Sequence, residues 1–120
     1  MYQYEAKVIR VVDGDTLWLD IDLGFRVHME IDVRLAKINA PERAQWTAQG
    51  LSEPAMDYIN AQTPPGSTVL VDISRPEKYG RYLATLLYLP GVSDRNEILR
   101  LGRVLNDELL DRGLAARYEN

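Results

Sequence analysis

Asp13-Gly14-Asp15-Thr16, Arg34, Asn39-Ala40-Pro41-Glu42 and Lys78-Tyr79-Gly80-Arg81 hold the residue types that phosphoryl chemistry needs. Hydrolysis of a phosphodiester calls for a base to activate water, cations on the non-bridging oxygens and, in many enzymes, a metal held by hard oxygen ligands. Glu42 could act as the base, Arg34 and Arg81 as the cations, and Asp15 as a metal ligand. Each stretch read alone has a plainer meaning. Asp-Gly-Asp-Thr makes a hairpin turn in which Asp accepts backbone hydrogen bonds and Gly supplies a positive φ. Pro41-Glu42 reads as a helix start with an acid in its first turn. Arg34 reads as an edge-strand charge and Arg81 as a surface residue beside a turn. The functional reading rests on the combination.

Positioning these groups requires a scaffold that places strand ends together. Tyr4–Val12 mixes alternation with β-branched residues and runs into the Asp13-Gly14-Asp15 turn, predicting strand, turn, strand. Thr16–Leu23 alternates, with Leu17, Leu19, Ile21 and Leu23 on one face, until Gly24. Phe25–Ile38 is a long extended stretch that stops at Asn39-Ala40-Pro41, completing an antiparallel meander. The period then changes to that of a helix over Ala44–Gln62, where Pro54 is expected in a first turn capped by Ser52, or at a kink. Ser67–Ser74 and Arg81–Leu89 read as two further strands. Near the end, Ile98-Leu99-Arg100-Leu101 suits either helix or strand, and a helix is expected at about Asn106–Arg112 with Gly113 as its stop. Five strands with a helix between the third and fourth have the order of an OB barrel.

Composition narrows the classes. A chain of 120 residues, 46% hydrophobic and 27% charged, fits one globular domain spanning 1–120 rather than a disordered or fibrous protein. No apolar run approaches the ~20 residues of a membrane span, and Met1–Glu5 lacks the features of an export signal, so a cytoplasmic protein with no membrane partner is expected, or the mature form of a secreted one. No cysteine and one histidine remove disulfides, thiol catalysis and Cys- or His-based metal clusters. The net charge of −4 disfavours a protein that coats DNA through bulk electrostatics. Eleven of the fourteen basic residues are Arg, however, whose planar fork matches phosphate oxygens. His28 reads as a strand residue facing solvent or a neighbour, without an evident carboxylate partner. Trp18 and Trp46 read as packing residues.

The stretches VVDGDT, VRLAKINAPE, EKYGRYLATL and NDELLDRGLA together resemble the staphylococcal nuclease (thermonuclease) family, in order, from Lys7 to about Ala115. The resemblance implies an OB-fold barrel with two helices, the family's final helix being absent, and calcium-dependent cleavage of DNA and RNA with little base selectivity. By the same resemblance, Asp15, Asn39 and the Ala40 carbonyl are metal-binding positions. Arg34 and Arg81 are the phosphate-binding arginines, Glu42 is the general base, and Lys78 and Tyr79 contact bound nucleotide. It further implies 5′-side scission that leaves 3′-phosphates, chiefly on single-stranded or locally opened nucleic acid.

Asn39 departs from the family's aspartate and removes one formal charge, so calcium binding is expected to be weak, roughly 10⁻⁴–10⁻³ M or poorer. The absent helix suggests marginal stability or a compensating dimer contact. Asn39 and the acidic balance also suit a second reading, a catalytically weak or inactive barrel that binds nucleic acid or a protein partner. Retention of Asp15, Arg34, Glu42 and Arg81 favours the enzyme.

Overall fold

The computed structural model describes residues 2–40, 53–76 and 80–119. Strand β1 (Tyr4–Asp13) turns into β2 (Thr16–Asp22), which turns into β3 (His28–Leu35); a tight turn then leads to the two-residue β4 (Ile38–Asn39). Helix α1 (Pro54–Gln62) precedes β5 (Thr68–Pro76) and β6 (Tyr82–Tyr88). Helix α2 (Arg95–Leu101), β7 (Arg103–Val104), helix α3 (Leu105–Asp111) and β8 (Ala116–Arg117) complete the chain. None of the described helices is long and apolar enough to cross a membrane.

The strands run β3-β2-β1-β5-β6-β7, and β3 also pairs with β6, in parallel, which joins the five long strands into a closed barrel. This is the OB arrangement expected from the order of elements. Alternation along β2 turns Leu17, Leu19 and Ile21 inward. In β1 the inward set is Ala6, Val8 and Val11, because the register slips between Val8 and Arg10. Ile59 and Ala55 of α1 and Leu105 and Leu109 of α3 complete the main core. A smaller cluster forms where Ile98 of α2 packs on Leu70 and Leu87.

Several boundaries differ from the sequence reading. The third strand spans His28–Leu35 rather than Phe25–Ile38, because Phe25 and Arg26 turn at positive φ and Lys37 turns again at φ 64°. Ile98–Leu101 is helical, so the described chain has three helices rather than two: burying Ile98 against Leu70 and Leu87 decides an ambiguous pattern. Pro54 opens α1, as expected of a residue without an N–H, but Glu53 occupies the cap position. Ser52 and the first part of the predicted Ala44–Gln62 helix lie outside the described residues.

Asn106 accounts for the conspicuous start of NDELL. Its Oδ1 accepts the Leu86 N–H at 3.0 Å, and its Nδ2 donates to the Ala36 and Ala84 carbonyls at 3.1 and 3.0 Å. One buried amide thereby ties α3 to β6 and to the turn that leads into β4.

Candidate functional site

The β1–β2 turn and the β3–β4 turn meet at one end of the barrel. The register sets Thr16 opposite Arg34, and the Leu35 N–H donates to the Asp15 carbonyl at 2.7 Å. The turn at Ala36-Lys37 then folds Asn39 and Ala40 back over Asp15, whose Oδ2 accepts the Ala40 N–H at 3.2 Å. Arg34 Nη2 lies 3.7 Å from the same oxygen. It donates to Asn39 Oδ1 at 3.0 Å and to the Ile38 carbonyl at 3.3 Å. Thr16 Oγ1 donates to Asp15 Oδ1 at 3.1 Å and accepts from Arg81 Nη1 at 3.3 Å. Five residues chosen from sequence, Asp15, Arg34, Asn39, Ala40 and Arg81, thus belong to one connected cluster. Glu42, Lys78 and Tyr79 lie outside the described residues, as does Trp46.

Gly14 has a different role from the one its turn suggests. Its φ is not among the positive values, so backbone conformation does not demand glycine. Space does: a Cβ there would sit 1.8 Å from Glu53 Oε1, 2.8 Å from the Ala40 Cβ and 2.9 Å from the Ala55 Cβ. Glu53 is 3% exposed, and neither of its side-chain oxygens has a partner in full hydrogen-bond geometry. The Gly14 N–H, close at hand, donates to Asp13 Oδ1 at 2.9 Å. Burial, reinforced by the Asp13 carboxyl and the Asp15 charge and only partly opposed by the Gly14 N–H, pushes the Glu53 pKa up to about 8.

Sequence reasoning missed three members of this cluster. Glu53 lies in a stretch read only for helix periodicity, and a carboxylate before a proline gives no sign that a glycine 39 residues upstream leaves room for it. By sequence Thr16 reads as a turn residue, yet its hydroxyl links Asp15 to Arg81. Tyr118 follows β8, which pairs with β4, and its ring lies 5.1 Å from the Arg34 guanidinium carbon. No spacing rule would have connected Tyr118 to Arg34.

Elsewhere, His28 does have a carboxylate partner: Nδ1 lies 3.1 Å from Asp20 Oδ1 across the β2–β3 pair. The two residues are eight apart in sequence and meet only through strand register. Trp18 is half-buried, with the Arg10 guanidinium 6.0 Å from its ring. A cleft of about 300 Å³ lies at the other end of β1, around Lys7, Thr63, Thr68 and Tyr88, and includes none of the residues chosen from sequence.

A family model described as staphylococcal nuclease homologue matches residues 32–120. The chain belongs to this family. A search of curated proteins found no match. The matched span contains Arg34, Asn39, Ala40, Glu42, Lys78, Tyr79 and Arg81. It begins after the Asp13–Thr16 turn, which joins the cluster through the contacts of Asp15 and Thr16. This staphylococcal nuclease homologue therefore presents a nuclease-like OB module, and its family suggests nucleic acid as the class of partner.

The donors suit a hard divalent cation. Asp15 offers a carboxylate, Asn39 an amide oxygen and Ala40 a carbonyl. Among the described residues, no three His, Cys, Asp or Glu side chains converge into a ready-made metal cage.

Proposed function

We propose that this staphylococcal nuclease homologue hydrolyses phosphodiester bonds of DNA and RNA with the help of calcium. The observation that carries the reading is the linkage of Asp15 with Arg34 at 3.7 Å and, through Thr16, with Arg81. Two guanidinium groups and a carboxylate at one barrel end suit a substrate whose charge grows on phosphoryl oxygens. Asp15, Asn39 and the Ala40 carbonyl would hold the cation, which when bound polarises the phosphoryl group and water. Arg34 and Arg81 would bind the non-bridging oxygens, and Glu42 would take the proton of the attacking water. Lys78 and Tyr79 would position the nucleotide. Because these groups address phosphate rather than base edges, base selectivity would be slight. Strands that are single or locally opened would enter most readily, and the family resemblance favours 3′-phosphate products.

Cleavage of denatured DNA, with calcium titrated against a chelator, tests the proposal. The expected outcome is cutting that requires calcium in the 10⁻⁴–10⁻³ M range or above, with Glu42→Gln slower by on the order of 10²-fold or more. A Glu42→Gln protein that cuts as fast as the parent removes Glu42 from the mechanism.

A second reading is a binding module without catalysis. It is favoured by one contact: Arg34 Nη2 is bonded within the protein to Asn39 and Ile38. Oligonucleotide binding without cleavage at millimolar calcium would select it.

A further inference from the structure

The cleft of about 300 Å³ at the other end of β1 is lined by residues 65–67, which lead into β5, by residues 89–93, which follow β6, and by Lys7, Gln62 and Thr63. Among the described residues, no acidic side chain lines it, so Lys7 carries its one formal charge. Lys7 is exposed, yet its ammonium is drawn to the cleft wall, where Nζ donates to the buried Thr68 Oγ1 at 2.5 Å. Asp20 stands opposite Lys7 in the β1–β2 register, but its Oδ1 lies 3.1 Å from His28 Nδ1 instead. One bond to Thr68 uses one of the three ammonium donors.

Gln62 adds two more donors. Arg103 Nη2 donates to Gln62 Oε1 at 2.7 Å, and Arg103 is itself held by the Tyr88 hydroxyl at 3.0 Å and by Glu108 at 3.1 Å. Turning the amide over would set its nitrogen against the guanidinium, so Nε2 is the atom left for a ligand. The hydroxyls have the opposite character. Thr63 Oγ1 donates to the Ile59 carbonyl at 2.8 Å and Ser67 Oγ to the Pro64 carbonyl at 2.6 Å. With their hydrogens spent, both oxygens can only accept. A ligand matching both sets is anionic in one part and carries O–H groups in another. We infer that this cleft binds a sugar phosphate, whose phosphoryl oxygens accept from Lys7 Nζ and Gln62 Nε2 and whose hydroxyls donate to Thr63 and Ser67. Its volume is at the small end for ligand clefts, which suits a single sugar phosphate rather than a length of strand. The site shares no residue with the Asp15–Arg34–Arg81 cluster and needs no metal, so it stands apart from the nuclease reading.

Titration of the intact chain with ribose 5-phosphate in chelator, followed through its amide NMR signals, tests the inference without a nuclease assay. Saturable shifts should appear at Gly66, Ser67, Val92 and Ser93. Shifts confined to Asp15, Arg34 and Arg81 would put the ligand at the opposite end of the barrel and overturn it, as would no shift at about 10 mM, some tenfold above a millimolar Kd. Lys7→Gln should weaken binding by about 10–100-fold, the range for a hydrogen bond to a charged group. Gln62→Glu should weaken it at least as much, because it keeps an oxygen for Arg103 and turns a carboxylate toward the phosphate. Arg26→Gln, on the exposed β2–β3 turn, should change nothing; a loss equal to that of Lys7→Gln would reduce the binding to overall charge and overturn the site. Ribose and inorganic phosphate should each bind roughly tenfold more weakly than ribose 5-phosphate, about the worth of one hydrogen bond. Inorganic phosphate binding as tightly would overturn the sugar phosphate assignment. Melting curves should leave both cleft variants folded; if Gln62→Glu unfolds, Lys7→Gln at its exposed position decides alone.

Discussion

Asn106 and Glu53 are buried to nearly the same degree, 5% and 3% exposed, and the fold treats them in opposite ways. The Asn106 amide spends its oxygen on one backbone N–H and its nitrogen on two carbonyls. Glu53 is buried beside the carboxyls of Asp13 and Asp15, and burial keeps its own carboxyl protonated, with a pKa pushed up to about 8. A buried polar group that is fully satisfied fixes a single arrangement of the elements around it, whereas one left unsatisfied stores unfavourable energy until a proton or cation arrives. The Asn106 amide is therefore built for stability. Glu53, against Gly14 and near Asp15, gives up stability beside the place where the proposed chemistry takes place.

The largest effect should come from breaking the satisfied amide. Asn106→Ala strands the Leu86 N–H and frees the Ala36 carbonyl, and should destabilise the fold by on the order of 3–5 kcal/mol. Urea unfolding measures this, and a loss below ~1 kcal/mol would remove Asn106 as the tie between α3 and β6.

Glu53 should respond to pH with a sign of its own. Glu53 titrates near 4.5 in the unfolded chain and about 8 in the folded one. Between those values the folded chain holds a proton that the unfolded chain has released, so this group's contribution is fully present below the lower value. It is lost as pH rises toward and through the higher value. In chelator, the parent should therefore lose on the order of 5 kcal/mol relative to Glu53→Gln across that window. Parallel stability profiles for the two proteins would show that Glu53 is not held protonated by burial.

A smaller effect should sharpen the link between the turn and the acid. Gly14→Ala places a methyl group against Glu53, Ala40 and Ala55 and should cost about 1–3 kcal/mol. Truncating Glu53 to Ala in the same chain should recover part of this, because the closest overlap is with Oε1 while the two alanine methyls remain. No recovery would place the strain wholly on the alanine contacts.

Much of the barrel was legible in the chain. Alternation along Thr16–Asp22 gave the inward face of β2, and the order of elements gave the OB arrangement, because these depend on side chains within a few residues of one another. The short helix α2 was not legible: Ile98-Leu99-Arg100-Leu101 has no decisive period, and contact with Leu70 and Leu87 makes it helical. At the candidate site, Asp15, Arg34, Asn39, Ala40 and Arg81 could be picked by residue type and motif. Their connection could not, since it depends on the Thr16–Arg34 register and on a left-handed turn at Lys37.

The amino-acid sequence by itself determined which atoms are available: a carboxylate at 15, a neutral amide at 39, guanidinium groups at 34 and 81, and a glycine at 14. Only the tertiary structure decided that the glycine exists to admit Glu53 and that Tyr118 lies over Arg34. Residue type is a local property written in the chain. Space, desolvation and the sign of neighbouring charges are set by residues from distant segments, and they exist only once the barrel has closed.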